Sequence, residues 1–169
     1  MEDDAKKAHS YYSLGNELKG LGRLAEAEES YRSAIALRPK VAQVHNNLGN
    51  TLKEMGRLGE AEESIKIALE LKPDFAVAFN NYGTILEELK RHGESEASYR
   101  KAIALKPSYA DAHYNLGIML QHLNKLDEAE ASYRQVITLN PDYYEAHSNL
   151  GNTLRKLNRL DEAEISYKQ

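Results

Sequence analysis

The feature that most constrains this chain is a period of 34 residues. All four prolines keep that step: Pro39, Pro73, Pro107 and Pro141. Five of the glycines keep it as well: Gly15, Gly49, Gly83, Gly117 and Gly151. A period of this size, held without a slip, indicates a stack of similar supersecondary units that pack on one another.

The period divides the chain into a short lead-in and one array. Residues 1–7 form an acidic lead-in. The repeats are 8–41, 42–75, 76–109, 110–143 and 144–169, and the last of them is shorter than the others. Positions are numbered from one within each repeat, so that every proline is at position 32 and each of the five periodic glycines is at position 8.

The first half of each repeat is predicted to be a helix. Its apolar residues recur at positions 4, 7, 11 and 14, which lie on one helical face. Position 15 is glycine or asparagine in four repeats, and both residues tolerate the left-handed conformation that closes a helix. Lys90 is the exception, and we expect an altered turn there that uses Gly93.

The second half of each repeat is predicted to be another helix. A glutamate at position 19 suits the positive end of its dipole, and the proline at position 32 ends it. Small residues at positions 20 and 27 flank a tyrosine or isoleucine at position 24. Because glycine inside a helix costs about 1 kcal/mol relative to alanine, its repetition at position 8 indicates that the two helices approach closely. No strand pattern occurs, so the fold class is all-α.

Leu-Gly or Tyr-Gly at positions 7 and 8, small residues at 20 and 27, an aromatic residue at 24 and proline at 32 resemble the tetratricopeptide repeat (TPR). The resemblance covers residues 8–169 and implies a right-handed superhelix, an α-solenoid, of about five helix-turn-helix repeats. Position 4 departs from the family's tryptophan, and position 11 is leucine rather than tyrosine. These departures concern packing detail.

Asparagine is the second unusual feature. Nine of the twelve asparagines fall at positions 5, 6 and 9, which lie on the side of the first helix opposite the packing face. Asparagine is a mediocre helix former, and a solvated face would be served better by glutamate or lysine. Its amide both donates and accepts hydrogen bonds, which suits it to the backbone of an extended peptide.

In the family that the sequence resembles, first helices line a concave groove. The array is most similar to that of O-linked N-acetylglucosamine transferases, in which position-6 asparagines hold the substrate polypeptide. The predicted peptide-binding residues are therefore Tyr12, Asn16, Asn46, Asn47, Asn50, Asn80, Asn81, Tyr114, Asn115, Asn149 and Asn152. The alternative is that the amides bond to each other or to adjacent repeats and stiffen the stack; the two interpretations are compatible.

Position 5 and the charged positions 12 and 13 are expected to supply specificity. Positions 12 and 13 are acidic in the middle repeat and basic towards both ends. A clamp for the C-terminal carboxylate of heat-shock proteins is not expected. Asn16 and Asn47 match two of its positions, but Tyr12, Val77 and Asn81 stand where it needs cations.

Composition argues against several other functions. The net charge of −4 gives no reason to expect a nucleic acid or an anionic membrane as partner, and the longest apolar run, 75–79, is too short to span a bilayer. Without cysteine there are no disulfides or thiolate sites, as is compatible with a cytoplasmic location. The histidines lack metal-ligand spacing, and no phosphate loop or nucleophile with its base is apparent. We expect no metal, no cofactor and no enzyme.

The sequence therefore predicts a non-catalytic protein–protein interaction scaffold that binds a protein or extended peptide. One alternative is a substrate-recruiting fragment of a larger glycosyltransferase or sulfotransferase, and another is a self-assembling structural unit. Repeat five lacks the alanine, leucine and proline that close the other repeats. Either the chain is a fragment of a longer array, or this open end packs on something. The second alternative would be end-to-end self-association through the face around Tyr144, Leu150, Leu154 and Ile165.

Overall fold

The computed structural model describes residues 2–168, with side chains from residue 3 onward, and over that range it contains ten α-helices and no strand. Short turns join consecutive helices. The helices are α1 (Glu2–Gly20), α2 (Leu24–Leu37), α3 (Ala42–Glu54), α4 (Leu58–Leu71), α5 (Ala76–Glu88), α6 (His92–Leu105), α7 (Ala110–His122), α8 (Leu126–Leu139), α9 (Tyr144–Lys156) and α10 (Leu160–Tyr167).

The helices follow the sequence period. From repeat two onward each first helix begins at position 1, and every second helix begins at position 17. The first helix of repeat one starts earlier, at Glu2, so the described part of the lead-in is helical. The all-α class and the helix-turn-helix repeats are confirmed.

Two compact units divide the chain between Arg91 and His92. Unit 1 holds α1 to α5, with a core around Tyr31, Leu52 and Ile65. Unit 2 holds α6 to α10, with a core around Tyr133 and Leu154. The description of residues 8–169 as one array stays a prediction.

Four of the position-8 glycines, Gly15, Gly49, Gly117 and Gly151, lie directly against the side chain at position 24 of the paired helix. A Cβ at Gly15 would lie 2.6 Å from Cε1 of Tyr31, and one at Gly49 would lie 2.7 Å from Cγ1 of Ile65. The Gly49 position is also 3.1 Å from the carbonyl oxygen of Ala61, so the backbones themselves are close. Glycine is used at position 8 despite its low helix propensity because any larger side chain would displace a core residue.

Position 15 is left-handed in every repeat. The φ angle is 74° at Gly22, 59° at Asn124 and 63° at Lys90. The Lys90 N–H donates to the carbonyl of Glu87 at 2.9 Å, which repeats the Gly22-to-Lys19 bond of the first turn. The expectation of an altered turn using Gly93 is wrong, because the turn's hydrogen bonds hold lysine in the conformation that glycine adopts elsewhere. Gly93 instead lies in α6.

No helix among the described residues is both long enough and apolar enough to cross a membrane.

Candidate functional site

In unit 1 the asparagines of the first helices form a connected set of hydrogen bonds. Nδ2 of Asn47 donates to Oδ1 of Asn16 at 2.8 Å and to the Tyr12 hydroxyl at 3.3 Å. Nδ2 of Asn46 donates to Oδ1 of Asn47, and Nδ2 of Asn81 donates to Oδ1 of Asn46, both at 3.0 Å. This amide network joins α1, α3 and α5.

One pairing rule recurs in both units. The residue at position 5 of one repeat bonds to the position-6 asparagine of the next repeat. The pairs that follow this rule are Tyr12 with Asn47, Asn46 with Asn81, and Tyr114 with Asn149. The stiffening interpretation of the amides therefore has direct support at these two positions.

Burial corrects the prediction for two of the asparagines. Asn46 is 3% exposed and Asn80 is 6% exposed, so neither amide is available to a guest peptide. Position 5 was expected to face the groove and set specificity, but Asn46 is used in bonds to neighbouring asparagines. The remaining predicted residues of unit 1 keep surface exposure: Tyr12, Asn16, Asn47, Asn50 and Asn81.

Asn16 is the most open of the unit 1 amides. Its Oδ1 accepts from the Tyr31 hydroxyl at 2.8 Å as well as from Asn47, so both lone pairs are used. Its two N–H groups make no hydrogen bond within the described residues and lie at the surface. Asn50 is half-buried, and its Nδ2 donates to Glu54 at 3.3 Å.

Unit 2 combines amides with aromatic rings. Nδ2 of Asn149 donates to the Tyr114 hydroxyl at 3.1 Å, and Tyr114 packs against Tyr143 with ring centroids 5.0 Å apart. Oδ1 of Asn152 accepts from the Tyr167 hydroxyl at 2.9 Å. The amides of Asn115, Asn149 and Asn152 are all half-buried.

Tyr143 is a candidate contact that sequence reasoning missed. It sits at position 34, the last residue of its repeat, where the other repeats have Val41, Phe75 and Tyr109. The signal was a large apolar or aromatic residue at that position in every complete repeat. Tyr143 immediately precedes α9, the first helix of repeat five, and its ring contacts that of Tyr114 in α7.

The buried phenols stay neutral at physiological pH. Burial raises the pKa of Tyr31 to about 12, with a smaller contribution from nearby Tyr12. Burial also raises the pKa of Tyr114, and the Glu145 carboxylate adds to that shift. Each hydroxyl is therefore available both to donate and to accept a hydrogen bond.

The charged positions 12 and 13 differ between the units. In unit 1, Lys19 pairs with Glu54 at 3.1 Å and Lys53 lies 4.0 Å from Glu88, so the lysines are neutralised across repeats. In unit 2, Arg155 and Lys156 are exposed and form no ion pair within the part of the chain that the structure describes. The positive charge predicted for repeat one is thus neutralised by an ion pair, whereas the positive charges of repeat five have no ion-pair partner among the described residues.

The position-4 histidines are packing residues with one hydrogen bond each. Nε2 of His45 lies 2.8 Å from the Pro39 carbonyl oxygen, and His113 and His147 repeat the contact with the preceding proline at 3.0 and 2.8 Å. Between residues 2 and 168, no group of three or more histidine, aspartate or glutamate side chains is placed to hold a metal ion. The arrangement offers amides, phenols and surface charges.

The predicted self-association face is partly exposed. Tyr144 and Ile165 are 68% and 62% exposed, whereas Leu150 and Leu154 are buried at 4% and 1%. The two leucines lie at the floor of a cleft of about 420 Å³ that Ile137 and Ile165 also line. A partner on this side would contact the exposed residues rather than the buried leucines.

Comparisons with known proteins agree on the fold. Sequence models described as tetratricopeptide repeat match residues 42–75, 110–143 and 132–165, and one described as TPR repeat matches residues 15–56 and 83–123. No curated relative matches this sequence. The finer resemblance to the array of O-linked N-acetylglucosamine transferases finds no support in these comparisons.

Three solved structures illustrate the likeness. The crystal structure of MamA is 25% identical with a TM-score of 0.81, over 92% of this chain and 91% of that chain. Pseudomonas aeruginosa PilF is 23% identical with a TM-score of 0.91, over 98% of this chain and 76% of that chain.

The third structure is YrrB, described as a TPR protein with an unusual peptide-binding site. It is 23% identical with a TM-score of 0.72, over 98% of this chain and 85% of that chain. The repeat models together cover most of the sequence, and the helix pairs match these solved structures. The chain belongs to the tetratricopeptide repeat family.

Proposed function

We propose that this chain is a non-catalytic scaffold that holds a partner polypeptide in extended conformation against the amide-bearing faces of its first helices. In unit 1 the contacts come from Tyr12, Asn16, Asn47, Asn50 and Asn81. In unit 2 they come from Tyr114, Asn115, Asn149 and Asn152. Each unit presents its own face, and the proposal applies to each face separately.

The observation that carries the proposal is the set of amide atoms that stay open at the surface. Asn16 keeps two N–H donors, and Asn149 keeps one N–H together with its Oδ1, counting bonds within the described residues. Asn152 likewise keeps its N–H donors after accepting from Tyr167. Open donors and acceptors on the surface of each unit are what the N–H and C=O groups of an extended peptide require.

The hydrogen bonds that these asparagines already make support the proposal, because they hold the remaining amide atoms in place. Tyr31 holds Asn16, and Tyr114 holds Asn149, at 2.8 and 3.1 Å. An amide held in this way loses little rotamer freedom when a peptide binds, which reduces the entropic cost of association. The stiffening and binding roles of the asparagines are therefore complementary.

Family membership supports the same conclusion. Proteins with this repeat are typically scaffolds for protein–protein interaction, and YrrB has an unusual peptide-binding site. We extend that role to this chain only as a proposal, because a shared fold does not define a shared partner. The absence of cysteine suits a reducing compartment such as the cytoplasm.

The test is selection of peptides on the whole chain. Random dodecapeptides would be displayed and selected on the immobilised protein, and the recovered peptides would be measured in solution by fluorescence anisotropy. For peptides that bind unit 2, combined Asn149→Ala and Asn152→Ala is expected to lower affinity about thirtyfold, since each of the two lost hydrogen bonds is worth about 1 kcal/mol.

A matched control is Gln135→Ala, which removes an amide from the second helix α8 and is expected to leave affinity unchanged. Asn16→Ala is the corresponding change for peptides that bind unit 1. Failure to recover any peptide would contradict the proposal. So would recovered peptides whose affinity none of the three asparagine substitutions alters.

A further inference from the structure

The second helices carry a regular series of ion pairs between repeats. The glutamate at position 21 of one repeat binds the cation at position 16 of the next. The pairs are Glu28 with Arg57 at 2.5 Å, Glu62 with Arg91 at 2.8 Å, Glu96 with Lys125 at 2.9 Å and Glu130 with Arg159 at 2.5 Å. We call this series the inter-repeat ion ladder.

Each carboxylate of the ladder has two cationic partners. Glu96, for example, binds Arg100 one turn later in its own helix and Lys125 of the next repeat. These two bonds hold the pKa of Glu96 below its ordinary value. The paired glutamate side chains are correspondingly enclosed, from 12% exposed at Glu28 to 19% at Glu96.

The ladder is open at both ends, and the two ends are complementary. Glu164, at position 21 of repeat five, binds Lys168 alone among the described residues and is 68% exposed. Within residues 3–168, the side chain of Arg23, at position 16 of repeat one, binds Glu26 alone and is 53% exposed, against 36% for Arg57. Glu164 has room for a position-16 cation, and Arg23 has room for a position-21 carboxylate.

The apolar residues beside these charges are also complementary. The leading face of repeat one carries Tyr11 and Leu14 on α1 and Leu21 in the turn that follows it, and these side chains are 41%, 43% and 66% exposed. At the end of unit 2, the trailing face carries Leu160 and Tyr167, which are 60% and 47% exposed.

The same positions are covered inside each unit. Leu48, the counterpart of Leu14, is 3% exposed, and Tyr31, the counterpart of Tyr167, is 0% exposed. Leu48 and Tyr31 belong to one core cluster, in which α3 covers α2. Within unit 1, α3 therefore already packs on α2 through the positions that are exposed on the leading and trailing faces.

We propose that the trailing face of one copy packs on the leading face of a second copy, with the register that α3 adopts on α2. Glu164 then binds Arg23 of the second copy, and Lys168 binds its Glu26, as Arg32 binds Glu60 within unit 1. The contact is heterologous, since each copy keeps one face of each kind for a further copy. This proposal is independent of peptide binding.

Charge reversal tests the proposal. Sedimentation velocity of the full chain over a wide concentration range is expected to show association that grows with concentration. Glu164→Arg and Arg23→Glu each place like charges across the contact, so each variant alone is expected to weaken association about tenfold or more. An equimolar mixture of the two variants restores opposite charges at every contact between unlike copies and is expected to recover association.

The mixture separates a lost contact from a damaged fold, because two misfolded variants would not rescue one another. Glu63→Arg, an exposed reversal on α4 away from both faces, is the matched control and is expected to change nothing. A chain that stays monomeric at every concentration would overturn the proposal. Any partner of the two faces would then be a helix of a different protein. Association that the reversals do not alter, or that the mixture does not restore, would overturn it as well.

Discussion

Unit 1 and unit 2 place the same residue type at the same repeat positions and use it differently. In unit 1, Asn47 uses both N–H groups and an oxygen lone pair in bonds to neighbouring side chains. In unit 2, the Asn149 amide donates once within the described residues, to Tyr114, and its other amide atoms are left at the surface. Both asparagines bond to a tyrosine of the preceding repeat, and the difference comes from Asn16 and Asn46, which supply the additional partners of Asn47.

The charges repeat the contrast. Lys19 and Lys53 of unit 1 are paired with glutamates one repeat later, whereas Arg155 and Lys156 of unit 2 have no such partner among the described residues. In unit 1, the polar and charged groups of the first helices therefore mostly have partners within the unit. Unit 2 presents a face that is aromatic, basic at one end and more open.

The largest expected effect separates the two asparagines by stability. Asn47→Ala removes three hydrogen bonds and is expected to lower the free energy of unfolding by about 2 to 3 kcal/mol, because the partners Asn46 and Asn16 are left without it. Asn149→Ala removes one bond and is expected to cost about 1 kcal/mol. Chemical denaturation followed by circular dichroism measures both, and equal costs would contradict the distinction between the units.

The second effect uses pH. Tyr31 donates to Asn16 in unit 1 and is fully buried, while Tyr167 donates to Asn152 in unit 2 and is 47% exposed. Because burial raises the folded-state pKa of Tyr31 to about 12, the neutral phenol stabilises the fold below pH 10. That contribution, about 2 to 3 kcal/mol, is lost as pH rises from 10 towards 12.

Denaturation curves at a series of alkaline pH values check this sign. Tyr31→Phe is expected to flatten the alkaline loss of stability, since phenylalanine has no proton to lose. Tyr167→Phe, which removes the phenol that donates to Asn152 in unit 2, is the matched control. An alkaline transition that persists in Tyr31→Phe would show that another group is responsible.

The smallest effect concerns the surface charges. Arg155→Gln with Lys156→Gln is expected to change the stability of the chain by less than about 0.5 kcal/mol, since neither side chain is paired within the described residues. The same pair of changes is expected to reduce the salt dependence of binding for acidic peptides selected on unit 2. Lys19→Gln with Lys53→Gln in unit 1 is the matched pair, expected to leave that salt dependence as it was.

The helix pairs were predictable because local rules and packing agree. Proline at position 32, a left-handed residue at position 15 and glycine at position 8 each correspond to an observed structural requirement, such as the room that Gly15 leaves for Tyr31. Lys90 shows the limit of that reasoning. Its propensity argued for a different turn, and the hydrogen bonds of the turn decided otherwise.

The candidate site was only partly predictable. Helical periodicity places position 5 near the polar face, but whether Asn46 reaches solvent depends on how closely the neighbouring first helix packs. That distance is set by residues elsewhere in both repeats, so the burial of Asn46 and Asn80 could not be inferred from their own spacing. The contact of Tyr143 with Tyr114 depends on packing of the same kind and was missed for the same reason.

The contact between histidine and the preceding proline has a consequence for how the protein opens. The Pro39 carbonyl lies in the turn beyond α2, where no helical N–H can reach it, and His45 of α3 supplies a donor. Repeat three has Phe79 at the equivalent position, and a phenyl ring has no donor to offer Pro73. The contact between α4 and α5 therefore lacks the histidine-to-proline hydrogen bond that links α3 to the turn after α2. We expect backbone amide hydrogens next to the α4–α5 contact to exchange with solvent faster.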